Sequence, residues 1–144
     1  NLGWLGEFLL MTIELVCAVL FPGLIGYERE VKGHHAGLRT HILVSIGACL
    51  IMIVSISAPG LNIEASRDPA RLAAQVVSGI GFLGAGTILR DGFNVKGLTT
   101  AAGLLAVTCI GLIVGAGFYI PAIIATFVVY CVFLCFSVQV VQFL

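Results

Sequence analysis

The side chains able to do chemistry are few and set in apolar surroundings. Glu14 stands near the middle of the first hydrophobic stretch, where a charged residue costs on the order of 3 kcal/mol, so it is predicted to be protonated, paired or wetted. Glu7, Glu14, Phe21 and Glu28 recur every seven residues, which puts three acids on one stripe of a helix. Pro22 interrupts that stripe, because a proline inside a helix removes a hydrogen bond. Asp68, Arg71 and Gln75 lie at i, i+3 and i+7, and Ser78 and Phe82 extend the same face. Asp68 before Pro69 also suits a helix cap, whereas an amide as deep as Gln75 must find partners and Arg71 above it can bind an anion or orient Asp68. Glu28, Arg29, Glu30 and Arg39 form a second charged group. Both groups read either as a cation or proton site or as interfacial ion pairs and helix caps.

Other constellations carry less. His34 and His35 are adjacent and point apart on a helix, and with His41 they do not make a metal set. The five cysteines, Cys17, Cys49, Cys109, Cys131 and Cys135, fall in apolar stretches and read as small apolar residues rather than a disulfide framework. Cys131 and Cys135 share a helix face, but no third soft ligand is near them in the sequence. Metal binding is left open, with Glu28 and Asp68 as the candidates. No Ser-His-Asp order, paired-histidine zinc motif or Walker loop occurs, so neither catalysis nor a cofactor is expected.

The elements that must hold these residues are membrane helices. Of 144 residues, 60% are hydrophobic and 10% charged, and the mean hydropathy is +1.15, against roughly 25% charged in soluble domains. Seven basic and seven acidic residues cancel, which removes nucleic acid as a partner. All the charges lie between Glu7 and Lys96, leaving residues 97–144 without one, long enough for two crossings at ~20 residues each. The N-terminus lacks the basic start of a cleaved leader and reads as a first span. The expectation is one all-α transmembrane domain over residues 1–144, a bundle of about five helices spanning 5–27, 40–58, 69–89, 98–116 and 120–142. Residues 90–97 are a turn-rich connection, after which Thr99 or Thr100 caps the fourth helix. Arg29, Lys32, Arg39, Arg90 and Lys96 fall in the first and third connections, against Arg67 and Arg71 in the second. The excess places those connections in the cytoplasm, the N-terminus outside and the C-terminus inside.

The third helix is glycine-rich. Gly79-Ile80-Gly81-Phe82-Leu83-Gly84 matches the dinucleotide fingerprint in letters only, since no strand precedes it and no acid follows at the required distance. Gly79, Gly81, Gly84 and Gly86 instead let backbones approach, as membrane helices require, or permit a hinged segment beside a polar path. Ala73, Val77, Gly81 and Ala85 repeat every four residues, and Gly111 with Gly115 does the same on the fourth helix. A homo-oligomer packed through such faces is expected.

Three blocks, Gly26 to Thr40, Asp68 to Gly86 and Val95 to Ala102, resemble the MgtC/SapB membrane proteins in residue type and order. The resemblance implies a bacterial inner-membrane protein of about five spans, associated with adaptation to low magnesium or acid stress. It also implies a part in virulence and restraint of a membrane ATPase in some members. Its signature residues would here be Glu28, Arg29, Gly37, Arg39, Thr40, Asp68, Arg71, Gln75, the four glycines of the third helix, Thr99 and Thr100. Pro22 stands where the family usually has a small residue, Leu105 where it often has an aromatic one, and no C-terminal domain follows Leu144 in this sequence.

Two functions compete. A non-enzymatic regulator needs polar clusters only at its surfaces, where a partner docks. A transporter or channel-like subunit needs polar residues at successive depths, and Glu14, Glu28, Asp68 and Gln75 would have to line the route. With Asp68 and Glu28 at opposite ends and only Glu14 and Gln75 between, the regulator is the better-supported reading.

Overall fold

The computed structural model describes residues 3–33, 36–57, 69–91 and 94–143. Five helices make an up-and-down bundle: α1 (Gly3–Val31), α2 (Leu38–Ser57), α3 (Pro69–Thr87), α4 (Leu98–Gly115) and α5 (Tyr119–Phe143). On length and composition alone, Gly3–Val31, Leu38–Ile56 and Leu98–Gly115 can each cross a membrane, and Tyr119–Cys135 of α5 is a shorter apolar segment. α3 is the least apolar rod because Arg71, Gln75 and its glycines dilute its hydrophobic residues.

α4 is the axis of the bundle and packs on all four other helices, whereas α3 packs on α2 and α4. Contacts between small residues explain how it gets so close. A Cβ at Gly111 would stand 2.5 Å from Ser45 O, and one at Gly115 would stand 2.7 Å from Cys49 O, so the i, i+4 glycine pair of α4 lies directly on the backbone of α2. At the crossing of α1 and α2, a Cβ at Gly26 would stand 2.9 Å from His41 Cβ. Lipid tails offer every apolar side chain the same contact, so such close backbone approach is what holds membrane helices together. The main core collects Ala18 and Ile25 of α1, Cys49 and Ile53 of α2, Val107, Ile110 and Val114 of α4 and Ala122 of α5.

The expected glycine face of α3 does not pack in this way. Gly84 reaches Ala101 of α4 at 3.5 Å, but Gly79, Gly81 and Gly86 have nothing within 4 Å of a Cβ position, so within the chain they are not packing residues. Two local expectations also change. The connection after α3 is a β-hairpin, β1 (Leu89–Asp91) against β2 (Asn94–Lys96), antiparallel with Arg90 opposite Val95. Neither threonine caps α4: its N-cap is Gly97 at φ 93, without a side-chain cap. A Cβ at Gly97 would overlap Thr87 O, so glycine is required there on both counts. α4 ends in a Schellman turn, with Phe118 N donating to Ile113 O, Gly117 N donating to Val114 O, and Gly117 at φ 86. Helix α1 continues through Pro22, which is buried.

Candidate functional site

One end of the bundle gathers ionisable and polar side chains from three helices and an aromatic ring from a fourth. The last turns of α1 bring Glu28 and Arg29, which are only 6% and 5% exposed. The start of α4 supplies Thr100, whose hydroxyl accepts a hydrogen bond from Arg29 Nη2 at 3.0 Å. From α5, Phe133 lies under the guanidinium, with Arg29 Cζ 4.5 Å from the ring centroid, a cation–π contact that favours a charged arginine in a dry setting. Gly103 makes room for that ring, since a Cβ there would stand 2.8 Å from Phe133 Cζ. Lys32 Nζ lies 2.5 Å from Glu28 Oε1, one turn further along α1. The first turn of α2 contributes His41, which is fully buried. His41 Nδ1 donates to Gly37 O at 2.7 Å, and because a carbonyl can only accept, Nε2 is left as the acceptor nitrogen. His41 is near enough to Arg29 for their charges to interact.

This cluster has unused bonding capacity. Both Glu28 oxygens, Arg29 Nε and His41 Nε2 are buried and lack a hydrogen-bond partner among the described residues, as does Ser45 Oγ deeper in the bundle beside Gly111. The Lys32–Glu28 contact is therefore a close charge pair without hydrogen-bond geometry. Buried polar atoms in native proteins are nearly always satisfied, so these atoms mark where water, a ligand or a partner's polar group is needed. Among the described residues no three His, Cys, Asp or Glu side chains converge as a metal set.

Glu14 lies elsewhere. A Cβ on Gly117, in the α4–α5 turn, would stand 3.8 Å from Glu14 Oε1, and Cys17, Cys49 and Tyr119 are within its electrostatic range. It is half-buried at the end of the bundle opposite Arg29. Along α1 the two acids Glu14 and Glu28 are separated by roughly 21 Å, and the apolar core of Ala18, Ile25, Val107, Ile110 and Val114 fills that interval. Of the heptad-spaced acids, Glu28 is buried, Glu14 is partly so and Glu7 is exposed.

The remaining predicted residues are dispersed. Arg39, Thr40 and Thr99 are exposed, and so are Arg71 and Gln75 on α3. Asp68, together with His34 and His35, lies outside the described residues. The cluster thus unites Glu28, Arg29 and Thr100 but not Arg39, Thr40 or Thr99. His41, Lys32 and Phe133 belong to it without having been singled out as its members. For His41 a signal existed: an ionisable ring inside a predicted span must face inward.

A helical bundle with several apolar spans and charges buried at one end defines a multi-pass membrane protein. The chain belongs to the MgtC family, whose model matches residues 15–141. It is 47% identical over 110 residues to YhiD of Escherichia coli K12, by its name a candidate magnesium transporter, covering 74% of this chain and 51% of that protein. It is 47% identical over 112 residues to Protein MgtC of Brucella abortus, covering 78% of this chain and 45% of the relative. The corresponding match to Protein MgtC of Salmonella typhimurium is 44% over 119 residues, covering 83% and 49%. The chain therefore spans about half the length of the relatives it matches. None of these names is an enzyme's. No solved structure matches the chain.

Proposed function

We propose that this chain is the membrane domain of a non-enzymatic regulator in the bacterial inner membrane, acting in adaptation to low magnesium or acid stress, with a membrane ATPase as a partner. The N-terminus lies outside and the Arg29 end faces the cytoplasm, following the excess of Lys and Arg in the first and third connections. The observation that carries this reading is the apolar core between Glu14 and the Arg29 cluster. Conduction of an ion needs polar groups at successive depths facing one cavity. In the single chain the acids Glu14 and Glu28 stand at the two ends of that core, and among the described residues only hydroxyls such as those of Ser45 and Thr108 are buried between them. The Arg29 cluster is then a recognition end, whose unsatisfied Glu28, Arg29 and His41 atoms await a partner's polar groups.

In proteoliposomes the protein is expected to carry no magnesium flux, with or without a pH gradient. A flux that Glu28→Gln or Asp68→Asn abolishes would defeat the regulator. The competing reading, a transporter or channel-like subunit passing a cation or proton near Glu14, Glu28, Asp68 and Gln75, is favoured by the magnesium-transporter name of YhiD and predicts that flux.

The chain is further expected to form a homo-oligomer through the open Gly81 face of α3. Solubilised protein of monomeric mass both as wild type and as Gly81→Leu would count against this.

A further inference from the structure

α2 and α3 lie side by side without closing on each other. Between them runs a trough of about 610 Å³, walled by Leu43, Gly47 and Ile51 on one side and by Gln75, Gly79 and Leu83 on the other. Neither Gly47 nor Gly79 has an atom within 4 Å of a Cβ position, so the space beside both glycines is free. The lining is apolar apart from the Gln75 amide near one end and a threonine from α4. Arg71 is exposed one turn further out on the same face of α3, and helical side chains lean toward the N-terminus, which carries its guanidinium toward the rim. From Leu72 to Leu83 the helix rises roughly 16 Å, about half of a ~30 Å hydrocarbon core.

A cation at the rim, an amide about 6 Å below it and an apolar slot one leaflet deep follow the order of groups in a phospholipid. Those groups are phosphate, glycerol ester and acyl chain. We propose that the α2–α3 trough is a binding site for an anionic phospholipid. The phosphate pairs with Arg71, an ester carbonyl accepts a hydrogen bond from the Gln75 amide, and one acyl chain lies along Gly47 and Gly79. The occupant must supply a polar partner to Gln75, which bare hydrocarbon cannot, and an anion to Arg71. A helix from a second copy fits less well, because Ser78 and Phe82, the next outward-facing residues of α3, do not line this trough.

The test is native mass spectrometry of the intact chain in mild detergent, titrated with dioleoyl phosphatidylglycerol or dioleoyl phosphatidylethanolamine. One phosphatidylglycerol per chain is expected to bind in preference to the zwitterionic lipid by about fivefold, the effect of one cation beside an anionic headgroup. Arg71→Gln should bring the preference to about one, by removing that single charge. Gly79→Leu fills the slot and should lower binding of both lipids, while Gly6→Leu on α1, where no atom lies within 4 Å of a Cβ position, should change neither. Helicity without added lipid checks each variant; if Gly79→Leu does not fold, Gly47→Leu on the opposite wall carries the same expectation. Equal binding of the two lipids by the wild type, or full lipid binding by the slot-filled variant, would overturn the proposal. So would a dimer that dissociates on Gly79→Leu with lipid binding unchanged, which would give the trough to a second copy.

Discussion

The Arg29 end of the bundle and the outer face of α3 use the same kinds of residue in opposite ways. At the Arg29 end, polar side chains are buried by neighbours from the same chain: Arg29 is held by Thr100 and Phe133, and Gly26 and Gly103 make the room. On α3, Arg71 and Gln75 point out of the bundle and Gly79, Gly81 and Gly86 meet nothing. A glycine that a neighbour fills is part of the fold, whereas a glycine beside open space leaves room for an occupant from outside the chain. The first region is therefore held together by the chain itself and leaves a partner only the unpaired Glu28, Arg29 and His41 atoms, whereas the second leaves a whole face open.

That division predicts where substitutions hurt. The largest effect belongs to Gly111→Leu. Even a Cβ there would stand 2.5 Å from the backbone oxygen of Ser45, and backbone cannot rotate away, so a loss of about 3 kcal/mol or more is expected, at the upper end for overpacked cores. Reversible unfolding in mixed micelles measures it, and a loss no larger than that of Gly79→Leu would erase the distinction between the regions. Next comes Arg29→Lys. It keeps the charge but gives up the planar contact with Phe133 and the fork geometry toward Thr100. A loss of about 2 kcal/mol is expected for a charged hydrogen bond and a desolvated cation–π pair, and a neutral result would show that the cluster is not a structural anchor.

The sequence made the number and order of the helices legible because the means of bounding them are local: Gly33 and Gly117 at positive φ after α1 and α4, and Gly97, where no Cβ fits, before α4. The Gly111–Gly115 pair was readable for a similar reason, since four-residue spacing on an uncharged helix leaves close packing as its use. Which partner each small face meets was not legible. Ala73, Val77, Gly81 and Ala85 have the same spacing, yet Ala73 packs on a buried cluster and Gly81 packs on nothing within the chain, because spacing defines a face and not its neighbour. The candidate site was half visible for the same reason. Glu28 and Thr100 stood out by type, but their connection runs through Arg29 and depends on α1 and α4 being antiparallel neighbours. Glu14 stands near the middle of α1, as expected, but because α1 is much longer than α4 that point lies level with the α4–α5 turn.

Smaller effects sharpen the comparison. Thr100→Val keeps the shape and removes the acceptor of Arg29 Nη2, and should destabilise by about 1–2 kcal/mol, less than Arg29→Lys because the cation–π contact remains. Combining the two substitutions should give less than the sum of their separate losses, since both act on one hydrogen bond. Strict additivity would mean that the bond contributes nothing.

The smallest expected change has the opposite sign. Gly81→Ala adds a methyl group where nothing lies within 4 Å, in a helix where glycine is the less favourable residue by roughly 0.5–1 kcal/mol. The isolated chain should therefore become more stable by up to about that amount. The same methyl placed at Gly111 meets backbone and should destabilise, so one chemical change reports opposite signs at a filled and at an open glycine. If Gly81→Ala destabilises the wild-type assembly at high protein concentration but not at low concentration, the methyl group is colliding with a second copy, and the open face of α3 is an interface between chains. A stabilisation independent of concentration leaves that face to lipid.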